Sequence, residues 1–202
     1  MEIKLCGFRR EEDIVCANKV LPDYIGFVLA KSKRRVAPKE LEKLTEILDK
    51  RIKSVGVFVN EDISEVLELS KFLQVIQLHG DENEEYIKAL KKVFKGEIWK
   101  AVRAKTPKDI EDACCGSADR ILIDSFVANA YGGTGKALDC NTVRNAEITK
   151  PFFIAGGLNT ENIVSAIKET SPFGVDISSG IERNDFKDAK KINEIIAIIR
   201  RI

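Results

Sequence analysis

With 202 residues, 44% apolar and 32% charged, the chain has the length and balance of one folded domain with a substantial core, which excludes a disordered protein. Its 33 Lys and Arg nearly cancel 32 Asp and Glu, so a net charge of +1 offers no broad field for nucleic acid, and any anion must be bound locally. No apolar run approaches the roughly 20 residues of a membrane span, and Arg9 to Asp13 interrupt any signal-peptide core, which leaves the cytoplasm as the default expectation.

The first expected strand, 2–6 (EIKLC), stops at Cys6, before Gly7 and a charged stretch. A helix is expected over 10–20 and a strand over 23–29 (DYIGFVL). Residues 38–50 (PKELEKLTEILDK) put Leu41, Leu44, Ile47 and Leu48 on one helical stripe. Pro38 suits its first turn, where the missing N–H costs nothing. Strands at 54–59, 75–79 (VIQLH), 97–103 and 120–125 (RILIDS) then alternate with helices at 61–72, 82–94 and 107–115. The connection 125–139 (SFVANAYGGTGKALD) is long for such a unit and reads as a mobile lid. Its YGGTGK lacks the full spacing of a P-loop. A helix at 141–147, a strand at 151–155 (PFFIA), a helix at 159–169 beginning with Asn159, and a strand at 174–178 (GVDIS) follow. The last helix, 188–201, places Ile192, Ile195, Ile196 and Ile199 at i, i+3, i+4 and i+7.

Eight strands, apolar on both faces and each followed by a helix, predict an α/β fold, a single (β/α)8 TIM barrel over residues 1–202. An open doubly wound sheet would use the same alternation. The five cysteines are odd in number, irregularly spaced and without a CxxC, so they indicate neither a disulfide framework nor a zinc site. Cys114 and Cys115 are expected at a helix end, and Cys16 in packing.

Ligands of such barrels bind at the C-terminal ends of the strands, with phosphate often held by the loops after strands 7 and 8. Those loops read AGGLNTEN (155–162) and DISSGIE (176–182). Gly156 and Gly157 would let backbone N–H groups approach an anion, and Ser178, Ser179 and Gly180 add donors. Cys6 leaves strand 1 and Asp124 leaves strand 6, so around a closed barrel they bracket the two loops. A phosphorylated sugar held there would have a carboxyl group on one side and a thiol on the other, an acid–base pair suited to isomerisation. Taken alone, a cysteine such as Cys6 is more often a core residue, since a reactive thiol needs a polar, partly exposed setting. His79, the one histidine, also leaves a strand and is a second candidate base.

KLCG (4–7), GFVLAKSKR (26–34), VGVFVN (55–60), QLHGDE (77–82), LIDS (122–125), YGGTGKALD (131–139), IAGGLNTENI (154–163) and SPFGVDISSGIE (171–182) run in order along nearly the whole chain. Jointly they resemble the phosphoribosylanthranilate isomerase family. The resemblance implies a (β/α)8 barrel with no cofactor and no metal. It implies an Amadori rearrangement of N-(5-phosphoribosyl)anthranilate in tryptophan biosynthesis. It puts the general base on Cys6, the general acid on Asp124, and the substrate's anthranilate carboxylate on Arg34, with Arg35 a competing neighbour. Gln77, His79 and Asp176, in matching stretches, are expected among the substrate-binding residues. The expected partner is a small phosphorylated molecule, with no nucleic acid and no membrane, acting on a monomer or homodimer. A related phosphate-binding barrel, indoleglycerol-phosphate synthase, would need a catalytic lysine and a segment before strand 1. A histidine-pathway isomerase would show two similar phosphate-binding halves. A non-catalytic sensor would have no need for Cys6 and Asp124 together. The base requires local donors to hold a thiolate, and the sequence does not reveal them.

Overall fold

The computed structural model describes residues 1–125 and 138–202, so most of the lid expected over 125–139 lies outside the described residues. Eight strands, β1 (Glu2–Cys6), β2 (Tyr24–Val28), β3 (Lys53–Phe58), β4 (Val75–Leu78), β5 (Glu97–Ala104), β6 (Arg120–Ser125), β7 (Phe152–Ile154) and β8 (Gly174–Ile177), pair in parallel. Ile3 opposite Val175 joins β1 to β8 and closes the sheet, so the open-sheet alternative is ruled out. The described helices that cover it are α1 (Glu11–Val20), α2 (Pro38–Glu46), α3 (Ile63–Ser70), α4 (Glu84–Val93), α5 (Pro107–Cys115), α6 (Cys140–Arg144), α7 (Ile163–Thr170) and α8 (Ala189–Ile199). Among the described residues no helix is long and apolar enough to cross a membrane.

Two local expectations change. The helix expected from Asn159 takes up α-helical form only at Ile163, one turn later. Asn159 instead caps the entering turn, its side-chain oxygen accepting from the Glu161 and Asn162 amides at 2.8 and 3.2 Å. After β8 a 3-10 turn (Ser179–Ile181) leads into a small hairpin, β9 (Glu182–Arg183) and β10 (Phe186–Lys187). Its strands are too short for any periodicity to register. Its turn residues Asn184 and Asp185 have φ of 51° and 65°, the left-handed pair that a tight hairpin turn requires.

Alternation along the strands separates two layers. Ile3, Leu5, Ile25, Phe27, Ile76, Ile98 and Ile177 point outward and pack against helix residues such as Ile14, Leu41, Leu44, Leu90, Ile192 and Ile195. Tyr24, Val55, Val75, Trp99, Leu122 and Phe153 point inward and fill the lower barrel. The rings of Tyr24 and Trp99 meet at 4.9 Å, and those of Trp99 and Phe153 at 4.6 Å. Beneath them Arg120 pairs with Glu97 at 2.9 Å and with Glu2, plugging the N-terminal end of the barrel. The inward face is not apolar throughout, as the sequence suggests: Lys4, Gln77, Asp124 and Asp176 are all buried on it.

Candidate active site

The period of two that turns Leu122 into the barrel also turns Asp124 inward at the upper end of β6, and pairs Lys4 with Cys6 on β1 in the same way. Above the aromatic plug a cavity of about 330 Å³ opens at the C-terminal ends of the strands. Cys6, Arg34, Gln77, His79, Asp124 and Asp176 line it, together with Gly156, Gly157, Ser178 and Ser179 from the loops after β7 and β8. The strand order β6-β7-β8-β1 puts those two loops between Asp124 and Cys6, as the topology requires.

Gly156 and Gly157 adopt φ of 94° and 60°, where a side chain is strained. A Cβ on Gly156 would also come within 2.9 Å of the Ser125 amide nitrogen. Gly180 is not on the cavity wall. It packs on the backbone of Leu158, so that a Cβ there would run into the Leu158 carbonyl oxygen, and it fastens one loop to the other. With Gly157 and Ser179 it borders a neighbouring surface depression.

On the β4–β6 side, Gln77 Nε2 lies 3.1 Å from His79 Nδ1. His79 Nε2 approaches Asp124 Oδ2 at 3.3 Å without making a hydrogen bond, and Asp124 Oδ1 accepts from the Ser125 amide at 2.8 Å. Gln77 Oε1, His79 Nε2 and Asp176 Oδ1 are buried with no hydrogen-bond partner among the described residues. Buried polar atoms are nearly always paired, so three of them around one cavity mark where a polar ligand fits.

On the β1 side, Cys6 sits above Lys4, which is fully buried and donates to Asp176 Oδ2 at 2.9 Å. Gly26 on β2 leaves them room: a Cβ there would come within 2.6 Å of the Cys6 sulfur and 3.2 Å of Lys4 Nζ. Burial pushes the Cys6 thiol above its ordinary range; Lys4 and Lys187 pull it down, and Asp176 adds to the rise. Burial opposes the Lys4 ammonium too, yet Asp176 and the Cys6 sulfur hold it above the usual lysine range.

Arg34 reaches the cavity, whereas its neighbour Arg35 is exposed and outside the lining. The Arg34 fork is already engaged, however. Its Nε and Nη2 donate to the two carboxylate oxygens of Glu182 at 2.7 and 2.6 Å. Lys187 Nζ donates to the same carboxylate at 2.7 Å. Burial works against the charge on Glu182, but Arg34 and Lys187 together hold its carboxyl below the usual range. Sequence reasoning passes over Lys4, Glu182 and Lys187. Lys4 carries a signal, a charge inside a strand at the same parity as Cys6; Lys187, in a run of charged residues, reads like an ordinary solvated face.

A closed (β/α)8 barrel with its titratable side chains gathered at the C-terminal mouth defines a barrel enzyme of the kind that works on a small polar substrate. The chain matches the family model of N-(5'-phosphoribosyl)anthranilate (PRA) isomerase over residues 3–197. It is 48% identical over 205 residues to N-(5'-phosphoribosyl)anthranilate isomerase of Clostridium acetobutylicum, covering 100% of this chain and 98% of that one. It is similar to the crystal structure of phosphoribosyl anthranilate isomerase from Thermus thermophilus, with a TM-score of 0.89, 29% identity, and coverage of 100% and 99%. It is also similar to a phosphoribosyl anthranilate isomerase in complex with reduced 1-(o-carboxyphenylamino)-1-deoxyribulose 5-phosphate, with a TM-score of 0.84, 30% identity, and both chains covered in full. The chain therefore belongs to the phosphoribosylanthranilate isomerase family, isomerases of tryptophan biosynthesis.

Proposed function

We propose that the barrel rearranges N-(5-phosphoribosyl)anthranilate to 1-(2-carboxyphenylamino)-1-deoxyribulose 5-phosphate, with Asp124 as general acid and Cys6 as general base. The observation that carries this reading is that both side chains face one cavity from the two strands flanking the glycine-bearing loops. The relative solved with a reduced phosphorylated analogue of the product supports the substrate class. Phosphate is bound by the loops holding Gly156, Gly157, Ser178 and Ser179, with Gly180 fastening them together.

Asp124 gives a proton to the furanose ring oxygen, and the ring opens to a Schiff base as the anilinic nitrogen contributes its lone pair. The Cys6 thiolate then removes the C2′ proton, and the enolamine tautomerises to the ketone. Gln77, His79 and Asp176 supply the unpaired polar atoms that meet the sugar hydroxyls. His79 stands on the acid's side of the cavity, beside Asp124, which favours Cys6 over His79 as the base. Following conversion of fluorescent phosphoribosylanthranilate by the purified protein tests the reading; binding without turnover would make the chain a sensor.

Two further results follow. Arg34→Ala should raise KM by about tenfold, the size of a lost charge-assisted hydrogen bond, and Arg35→Ala should leave it nearly unchanged. Because Glu182 holds Nε and Nη2, the substrate carboxylate meets Arg34 through Nη1 unless Glu182 yields. Equal effects on KM from the two substitutions would remove Arg34 from substrate binding. The second result concerns pH. Burial pushes the Cys6 thiol above its ordinary range in the empty barrel, so its active form increases as pH rises. On that limb kcat/KM should climb by about tenfold per pH unit through neutrality and level off only in the alkaline range. A profile already flat at pH 7 would show that the base is not this buried thiol.

A further inference from the structure

The mouth of the barrel around Cys6 has an unbalanced set of buried charges. From β1, Lys4 faces the thiol and is paired with Asp176 of β8 at 2.9 Å. From the loop after β2 comes Arg34, and from β10 comes Lys187; the two share the single carboxylate of Glu182 on β9. Among the described residues, these are the charged groups gathered around Cys6 on this side of the cavity: three cations and two carboxylates. One positive charge is left over, and the further ionisable group they surround is the Cys6 sulfur.

Lys187 is placed to meet it. Its side chain is 1% exposed. Its ammonium donates to the Ser178 carbonyl at 3.1 Å, while the Ser178 hydroxyl donates to the Cys6 carbonyl at 3.1 Å. A Cβ built on Gly7, the residue after Cys6, would lie 3.2 Å from Lys187 Nζ. The ring of Phe8 lies 5.8 Å from the same nitrogen. Burying a lysine this completely costs stability unless its charge is used, and the carboxylate it meets at 2.7 Å, Glu182, is shared with the Arg34 fork.

We propose that Lys187, carried in by the β9–β10 hairpin, is a positioning residue whose ammonium favours ionisation of Cys6, so that the thiolate, once formed, completes a cluster of three cations with two carboxylates. It touches neither the substrate nor the transferred proton and acts through Cys6. Burial lowers the Lys187 ammonium below the ordinary lysine range, and Glu182 opposes that and keeps it charged. The proposal rests on the reading of Cys6 as the base, but its test does not require turnover.

The test is the rate at which iodoacetamide alkylates Cys6 in the full-length, substrate-free protein as a function of pH. The Cys6 peptide is followed by mass spectrometry, so that Cys16, Cys115 and Cys140 do not interfere. Lys187→Met should move the midpoint of Cys6 alkylation up by at least about one pH unit, which is about tenfold slower labelling at a fixed pH below it. Lys187→Arg should keep the wild-type midpoint. Should Lys187→Met alone fold poorly, because Glu182 loses a partner, Lys187→Gln removes the charge and keeps an N–H donor for that carboxylate. It should show the same upward move. A folded Lys187→Met or Lys187→Gln variant with the wild-type midpoint would overturn the proposal. So would a variant in which only the KM for phosphoribosylanthranilate changes, since the extra charge would then serve the substrate. Failure of the base reading shows separately, as turnover retained by Cys6→Ser.

Discussion

Cys6→Ser and Asp124→Asn should each lower kcat by at least about 10²-fold, while inhibition by inorganic phosphate stays close to that of wild type. General acid–base groups contribute that much or more when nothing else can move the proton. A serine hydroxyl at position 6 would sit in the same buried place, above Lys4 and Asp176, but it does not ionise in the accessible pH range. Asparagine at position 124 would preserve the contact with the Ser125 amide and lose the transferable proton. Near wild-type turnover by Cys6→Ser in a chemistry-limited assay would remove the thiol from the mechanism. Near wild-type turnover by Asp124→Asn would pass the acid role to His79, whose Nε2 lies 3.3 Å from Asp124 Oδ2.

The second large effect is expected at Gly180. Its Cα packs on the Leu158 backbone, and a methyl group there would run into the Leu158 carbonyl oxygen. Backbone does not yield as a flexible side chain does, so Gly180→Ala has to push the loop after β8 away from the loop after β7. Overpacking of this kind costs about 1–3 kcal/mol, and here the displacement falls on the loops proposed to share the phosphate. KM for phosphoribosylanthranilate should rise by about tenfold or more, and inorganic phosphate should cease to compete. Isothermal titration with a phosphorylated product analogue and its dephosphorylated counterpart provides the control. Wild type should strongly prefer the former, and Gly180→Ala should lose most of that preference. If Gly180→Ala lowers the melting temperature but keeps the preference, the phosphate is not held by this pair of loops.

The paired carboxylate of Glu182 changes how the mouth of the barrel responds to substitution. Arg34, Lys187 and Glu182 are buried together, so removing one leaves the others uncompensated. The Arg34→Ala effect on KM therefore contains both the lost substrate contact and the relaxation of Glu182 toward Lys187. Comparison with Arg35→Ala isolates the part that depends on reaching the cavity, because Arg35 is exposed and outside its lining.

The order of strands and helices follows from the sequence because each strand is a short run rich in branched apolar residues and each helix carries an apolar stripe at its own period, whereas closure into a barrel and not an open sheet is decided by the pairing of β1 with β8. The sequence also determined that Cys6, Gln77, His79, Asp124, Asp176 and the glycine-bearing loops would end at one mouth, since position at the C-terminal end of a barrel strand is a one-dimensional property. It determined less about the connections. The turn before Ile163 and the hairpin of Glu182–Lys187 depend on side-chain caps and left-handed residues, which leave no periodic trace. What only the tertiary structure decided is the electrostatic setting. That Arg34 faces inward and Arg35 outward, and that Gly26 makes room for the Cys6 sulfur beside Lys4, depend on neighbouring strands. That Lys187 lies against Gly7 and shares Glu182 with Arg34 depends on groups separated by more than a hundred residues of chain. The energy of a buried charge is fixed by which charges surround it and by how far water is excluded, and both are properties of the packed molecule.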